Sequence, residues 1–153
     1  MNETQSHDII IREATEADFA KLVALFLEFA TFENLRHCMV NSQERMMAEK
    51  EYFNGFVAIA PDQRMVGYAT WFFGYYTFTG KAMYMDDLYI TPDFRGKGIG
   101  TLLINRVIDR AREVRCNVLR WQVSEWNHQA IGFYKQLGAK IDQVERNCNL
   151  DLE

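Results

Sequence analysis

The chain has 153 residues, which is enough for one sizeable core and suggests a single domain over residues 1–153. The net charge of -4 and the lack of a Lys/Arg run argue against nucleic-acid binding. The acidity suits either a cationic small partner or simple solubility. The polar N-terminus is unlike a signal peptide, and no apolar stretch reaches the roughly 20 residues of a membrane span.

The cysteines and histidines point away from disulfide and metal chemistry. Cys38, Cys116 and Cys148 lie far apart in the sequence and are odd in number, which suits a reducing compartment. The three histidines show no metal-ligand spacing, so we expect no bound metal. Together these features predict a cytoplasmic protein that makes no contact with membranes.

The first third of the chain predicts one strand followed by two helices. Residues 9–11 form a short apolar run that is typical of a strand. Thr15 and Asp18 have the spacing of a capping box, so a helix should begin there. Apolar residues at three- and four-residue spacing then give this helix one apolar face. A second, weaker helix is predicted over residues 42–53.

The middle of the chain changes to the pattern of β-structure. Strands are predicted over residues 56–60, 65–73 and 82–90, and residues 75–81 are predicted to connect the last two. Consecutive strands with short links indicate an antiparallel meander.

The last third predicts a helix over residues 98–114, a strand over 118–123 and a short helix over 127–137 that stops at Gly138. The tail could form one or two further short strands. This order predicts an α/β (α+β) fold with a mixed, mostly antiparallel sheet and helices on both faces.

A glycine-rich segment, Arg95-Gly96-Lys97-Gly98-Ile99-Gly100, lies between a predicted strand and a predicted helix. Its glycines let the backbone turn tightly and approach a ligand closely. The N-terminus of the following helix supplies free N–H groups and a positive dipole end, and the two basic side chains can add charge-assisted contacts. The segment therefore predicts a pyrophosphate site, and the alternative is a glycine turn that only connects strand to helix.

The spacing excludes a Walker A loop and argues against a Rossmann loop. A Walker A loop needs Ser or Thr after its Gly-Lys pair, whereas Gly98 follows Lys97 here. A Rossmann loop needs G-x-G-x-x-G, whereas this spacing is G-x-G-x-G after strands that look antiparallel. The remaining pattern is R-x-x-G-x-G.

This pattern resembles the pyrophosphate loop of the GNAT superfamily of N-acetyltransferases. Residues 127–139 fit the second signature of that superfamily, N-x-x-A-x-x-F/L-Y-x-x-x-G-A. Three segments are similar to the spermidine/spermine branch: Tyr-Met-Asp-Asp-Leu at 84–88, Glu-Trp-Asn at 125–127 and Phe-Glu at 32–33. The resemblance covers residues 11–139 and thins in the tail. It departs at Arg36 and His37, where that branch carries acidic residues, and at Tyr76 and Phe78, where it carries Asp and Trp.

The resemblance implies a GNAT fold, acetyl-CoA as co-substrate, direct attack by the amine in a ternary complex, and a homodimer. It also implies a set of residues for acetyl-CoA. These are Leu88, Tyr89, Ile90, Arg95, Gly96, Lys97, Gly98, Ile99, Gly100, Thr101, Asn127 and Tyr134.

The catalytic residues implied by the resemblance are Tyr134 and Asp86. A phenol has an ordinary pKa near 10, so Tyr134 is protonated at neutral pH and can act as the general acid for the thiolate. Asp86, where the related enzymes have Glu, is the candidate base acting through water. The structural alternatives are a packed core tyrosine and a carboxylate that serves a β-bulge.

The substrate residues implied by the resemblance are Phe32, Glu33, Asp86, Asp87 and Glu125, although each acidic residue could be an ordinary surface charge. We expect an enzyme that acetylates a primary amine of a small molecule, such as a diamine or polyamine. Two alternatives stay open: a protein or peptide N-acetyltransferase, and a non-catalytic acetyl-CoA-binding module.

Overall fold

A computed structural model describes residues 8–143 and 148–152, which fall into two compact units, Met1–Trp121 and Gln122–Glu153. None of the helices in these described ranges is long and apolar enough to cross a bilayer. Cys38, Cys116 and Cys148 are all free thiols.

The first unit is built on a five-stranded sheet with the order β1-β2-β3-β4-β5. The strands are β1 (Ile10–Glu13), β2 (Asn54–Ile59), β3 (Met65–Tyr76), β4 (Gly80–Ile90) and β5 (Val118–Arg120). The first four strands pair antiparallel in sequence order, and β5 pairs parallel to β4. This confirms the mixed, mostly antiparallel sheet, since a parallel pair needs a long crossover such as the helix between β4 and β5.

Helices cover both faces of this sheet, as predicted. On one face, α1 (Phe19–Phe32) and α2 (Gln43–Ala48) bury apolar side chains against Tyr68 of β3 and Tyr89 of β4. On the other face lies α3 (Ile99–Glu113), whose Arg106 guanidinium lies 4.6 Å from the ring centre of the buried Phe56. Successive side chains of a strand point to opposite faces, so β2 contributes to both layers.

Several predicted boundaries were wrong. The segment at 75–81 is not a loose connection, because β3 runs to Tyr76 and pairs with β4 from Gly80, which leaves a three-residue turn at 77–79. Gly80 has a φ of +81°, which favours glycine at the end of so tight a turn. The second helix ends at Ala48 and is followed by a 3₁₀ turn, Lys50–Tyr52. Strand β5 is three residues long and ends at Arg120.

The second unit contains α4 (His128–Gln136). The helix begins after Asn127, whose side-chain oxygen accepts a hydrogen bond of 3.2 Å from the Ala130 N–H. Gly138, with a φ of +86°, follows its end as predicted. The expected tail strands are absent from residues 137–143 and 148–152, and residues 144–147 lie outside the described part.

Candidate functional site

Strands β4 and β5 separate part-way along the sheet. Their pairing runs from Ala82 with Val118 to Tyr84 with Arg120 and stops there. Strand β4 continues to Ile90, so its segment from Met85 onward keeps β3 on one edge and has no described strand on the other. Backbone N–H and C=O groups on an unpaired edge are available to a ligand. Leu88, Tyr89 and Ile90, which the sequence predicts to bind the cofactor, lie on this segment.

A β-bulge lies at the start of the same segment. Trp71 pairs with Met85 and Thr70 pairs with Asp87, so Asp86 has no partner on β3. Beyond the bulge, the Asp87 N–H donates a hydrogen bond of 3.2 Å to the hydroxyl of the buried Thr70. The side chain of Asp86 is exposed and makes no hydrogen bond to any described residue. The bulge therefore exists, but the Asp86 carboxylate does not stabilise it.

Two neighbouring carboxylates, Asp86 and Glu33, act on Asp87 at the bulge. Burial, together with the charges of Asp86 and Glu33, raises the pKa of Asp87 to about 7. Glu33 is the residue at the C-terminal end of α1. Desolvation by the surrounding protein also raises the pKa of Asp86, although that side chain keeps contact with solvent. No cation among the described residues is paired with Asp86 or Asp87, so this cluster would be stabilised by a bound ammonium ion.

The other side of β4 is fixed to α1 through Tyr89. Glu28 and Arg95 both act on the Tyr89 hydroxyl, Glu28 raising its pKa and Arg95 lowering it. Burial and Glu28 together raise the pKa of Tyr89 to about 12. The hydroxyl is therefore neutral at physiological pH. It is influenced by Glu28 of α1 on one side and by Arg95 of the glycine loop on the other.

Arg95 is held by protein groups in this structure. Its Nε donates a hydrogen bond of 2.9 Å to the Ile90 carbonyl, and its guanidinium lies 4.7 Å from the ring centre of Phe32. The hydrogen bond holds Arg95 on β4, and the cation–π contact holds Phe32 next to it. The structure brings together one residue predicted for the cofactor and one predicted for the substrate.

The glycine loop presents the N-terminus of α3. Gly96 and Gly98 have φ values of +73° and +80°, a region that side-chain-bearing residues rarely adopt. Gly98 is the residue that caps α3, and the cap has no side-chain hydrogen bond. The first-turn N–H groups of Ile99, Gly100 and Thr101 are therefore left to another acceptor, which is the arrangement an anion needs. Lys97 lies with its Nζ 5.3 Å from the ring centre of Phe94.

The remaining predicted residues lie in the second unit. Tyr134 is buried on α4, and its ring centre lies 5.4 Å from that of Phe133. Asn127 caps α4 as described above, which is a structural role for a side chain predicted to bind the cofactor. Glu125 is exposed in the turn before the helix. In the described ranges, no three or more His, Cys, Asp or Glu side chains could together hold a metal ion.

Comparison with known proteins identifies the family. The model of the acetyltransferase (GNAT) family matches residues 19–139. The chain belongs to the GNAT acetyltransferase family. It is therefore an N-acetyltransferase, and the family uses acetyl-CoA as co-substrate, as the glycine loop and the second signature predict.

Three named acetyltransferases or acetyltransferase-like proteins are similar to most of this chain. A thialysine N-epsilon-acetyltransferase of Mus musculus is 38% identical, with 85% of this chain and 83% of that protein covered. A spermidine/spermine N(1)-acetyltransferase-like protein of Homo sapiens is 29% identical, with 91% of this chain and 21% of that protein covered. A peptidyl-lysine N-acetyltransferase of Escherichia coli is 30% identical, with 87% and 83% covered. The first two confirm the similarity to the spermidine/spermine branch.

Solved structures confirm the fold. An aminoglycoside acetyltransferase from an uncultured soil metagenomic sample has a TM-score of 0.80 at 20% identity, with 95% of this chain and 98% of that chain covered. At this identity the likeness concerns the fold alone.

Sequence reasoning missed three residues of this acetyltransferase: Tyr68 and Thr70, which lie on β3 beside Asp87, and Glu28 of α1, which acts on Tyr68 and Tyr89. The signal for Tyr68 and Thr70 was their two-residue spacing on a predicted strand, which places them on one face. The signal for Glu28 was its four-residue spacing from Phe32 on the first helix. Neither spacing identifies a site until the register of β3 against β4 is known.

Proposed function

We propose that this protein transfers the acetyl group of acetyl-CoA to a primary amine of a small cationic molecule, either a thialysine-like diamine or a polyamine. The observation that carries the proposal is the cluster of Asp86, Asp87 and Glu33, in which Asp87 is largely removed from water and has no cation partner among the described residues. Burying a carboxylate beside two others is costly unless a cation joins them. The similarity to the thialysine enzyme supports the same class of acceptor.

The glycine loop fits the pyrophosphate of acetyl-CoA. The uncapped N-terminus of α3 supplies N–H donors, and the left-handed Gly96 and Gly98 bring the backbone close without side chains. The unpaired edge of β4 after Tyr84 offers backbone groups of Leu88, Tyr89 and Ile90 for the pantetheine arm. When bound, acetyl-CoA supplies the acetyl group as a thioester.

The residues of the chain then have distinct roles in the transfer. An alkyl ammonium group has an ordinary pKa near 10, so it must lose a proton before it attacks the thioester carbonyl. Asp86, solvent-exposed at the bulge, takes that proton through water, while Asp87 and Glu33 bind the cationic part of the substrate. The Tyr134 hydroxyl gives its proton to the departing thiolate sulfur. The amine attacks directly, and no cysteine carries the acetyl group.

A peptidyl-lysine acceptor is the second candidate, and the relative from Escherichia coli supports it. The acceptor amine is chemically the same, so the two candidates differ in what surrounds it. A non-catalytic acetyl-CoA-binding module is a third possibility, but such a module does not need the general acid that the second signature supplies at Tyr134.

We further propose that the chain acts as a single GNAT domain and as a homodimer in the cytoplasm. The family match at 19–139 continues across the boundary between the two units, which supports one functional domain. Exposed aromatic side chains on and beside β3 support an interface. These are Phe72, Phe73, Tyr75 and Phe78. The three free thiols fit a reducing compartment.

Product identification tests the proposed function. The protein is incubated with acetyl-CoA and, separately, with thialysine, ornithine, spermidine and a lysine-containing peptide, and the products are identified by mass spectrometry. We expect a monoacetylated small amine, with acetyl on a primary nitrogen. Acetylation of the peptide alone would favour the second candidate, and no acetylated product from any acceptor would overturn the proposal.

A further inference from the structure

The hydroxyl of Tyr68 is buried and unpaired. The residue is 0% exposed, and none of the residues that the structure describes forms a hydrogen bond with its hydroxyl. The ring packs edge-on to Phe26 with centroids 4.9 Å apart and lies 6.0 Å from Tyr89. A phenylalanine would satisfy the same packing, and a buried hydroxyl without a partner is destabilising. This hydroxyl is therefore available as a hydrogen-bond donor to a neighbouring group.

The register of the sheet places that partner. Tyr68 pairs with Tyr89 and Thr70 pairs with Asp87, so these four side chains share the face covered by α1. Tyr68 and Asp87 are diagonal neighbours across the two strands, a separation that a long aromatic side chain can span. The Thr70 hydroxyl already accepts a hydrogen bond from the Asp87 N–H, and Glu28 and Arg95 act on the Tyr89 hydroxyl. The Tyr68 hydroxyl and the Asp87 carboxyl have no hydrogen-bond partner among the residues that the structure describes.

We propose that Tyr68 is a positioning residue of the amine site, whose hydroxyl donates a hydrogen bond to the Asp87 carboxylate once that carboxyl has lost its proton. This rests on the proposed function for its role in turnover. A protonated Asp87 has less need of a donor, whereas an ionised one is stabilised by a charge-assisted hydrogen bond. Among the charged groups that act on the Tyr68 hydroxyl, Asp87 has the largest effect. Tyr68 thus holds Asp87 ready for a cationic substrate.

The other charged and titratable groups near this pair lie on β4, on α1 and in the glycine loop. They are Asp86 and Tyr89 on β4, Glu28 and Glu33 on α1, and Arg95 in the glycine loop. Asp86 and Glu33 oppose ionisation of Asp87. Because Arg95 is engaged with Tyr89, Ile90 and Phe32, Tyr68 is the neutral donor left to stabilise the Asp87 charge.

Tyr68→Phe tests the proposal because it removes one oxygen and keeps the ring. The side-chain carboxyl of Asp87 is titrated by NMR in the free protein, where no acetyl transfer is needed. We expect its pKa to rise by roughly one unit or more, as for the loss of a hydrogen bond to a charged group. In steady-state assays, the amine KM should rise roughly tenfold or more at neutral pH, and the acidic limb of kcat/KM should move to higher pH. Acetyl-CoA affinity should stay unchanged.

The controls separate this role from packing. Tyr52→Phe deletes the same atom from a side chain that is 75% exposed and should change none of these values. In an Asp87→Asn background, Tyr68→Phe should leave the pH profile where it is. An Asp87 pKa equal to that of the wild type in Tyr68→Phe would overturn the inference, even if the enzyme acetylates amines. A raised pKa in a protein that acetylates no amine would support the inference and overturn the proposed function instead.

Discussion

The backbone N–H of Asp87 donates to the hydroxyl of Thr70 at the point where β3 and β4 change register. This bond lies where the pairing of the two strands continues after the bulge, next to the two consecutive acidic residues of β4. Asp86 stays in contact with solvent while Asp87 turns towards α1 and loses most of its water. Two consecutive residues therefore supply carboxyl groups with different environments, which suits a base and a cation-binding group.

Thr70→Val tests whether this bond sets the bulge. The substitution keeps the branched shape but leaves the Asp87 N–H without its acceptor, which costs roughly 1–3 kcal/mol in the free energy of unfolding. Urea denaturation measures the loss. Thr70→Ser keeps the hydroxyl and should lose much less, so equal losses in the two variants would show that the hydroxyl has no such role.

The raised pKa of Asp87 predicts a pH dependence of stability. Between the ordinary Asp pKa near 4 and about 7, the folded state holds a proton that the unfolded state has lost. The free energy of unfolding should therefore fall as pH rises through this window. Asp87→Asn should remove that part of the fall, and Asp151→Asn, at an exposed position, should not. The measurement is thermal or urea unfolding at several pH values, and an unaltered slope in Asp87→Asn contradicts the assignment.

Gly98→Val tests the pyrophosphate site. A branched side chain at the cap of α3 should weaken acetyl-CoA binding, because it stands where the loop approaches the ligand and strains a φ of +80°. Calorimetry measures the affinity. Gly138→Val imposes the same left-handed strain, at φ +86° and with no heavy atom within 4 Å of the added Cβ. We expect both variants to lose stability and only Gly98→Val to lose acetyl-CoA affinity. Unchanged affinity in Gly98→Val would contradict the pyrophosphate assignment.

Tyr134→Phe tests the general acid. It removes one hydroxyl from α4, so turnover should fall by roughly 10²–10⁴-fold while acetyl-CoA affinity changes little. Asp86→Asn is its counterpart, because loss of the base should require a higher pH to reach a given rate. Turnover at the wild-type level in Tyr134→Phe, when chemistry is rate-limiting, rules out the acid. An unshifted pH profile in Asp86→Asn rules out Asp86 as the base.

The exposed aromatic residues predict a homodimer. Phe78 is 100% exposed and Tyr75 is 80% exposed at the β3–β4 turn, and such patches mark interfaces. Light scattering at micromolar concentration should give the mass of two chains. Replacing both residues by serine should shift the mass towards one chain while circular dichroism stays unchanged. A monomeric wild type contradicts the prediction.

Much of the fold follows from local pattern, and most of the site does not. The element order is predicted by the capping box at Thr15, the glycine loop and the strand-like segments. Each of these patterns is a property of residues close together in the sequence. The hairpin turn before Gly80 was mispredicted because β-forming aromatic residues extend β3 beyond the expected end. The bulge at Asp86 depends on how two strands pair, and the roles of Tyr68 and Glu28 depend on contacts across layers. Such relations cannot be read from one strand or one helix alone.

The central claim is that the acceptor is a small cationic amine. The most direct measurement is kcat/KM for two acceptors that share the same reacting amine, free thialysine and a peptide containing thialysine, in the same assay with acetyl-CoA. We predict that the free amino acid is preferred by roughly tenfold or more, and that Asp87→Asn removes most of this preference. A peptide used as well as or better than the free amine, with no effect of Asp87→Asn on the ratio, would contradict the account.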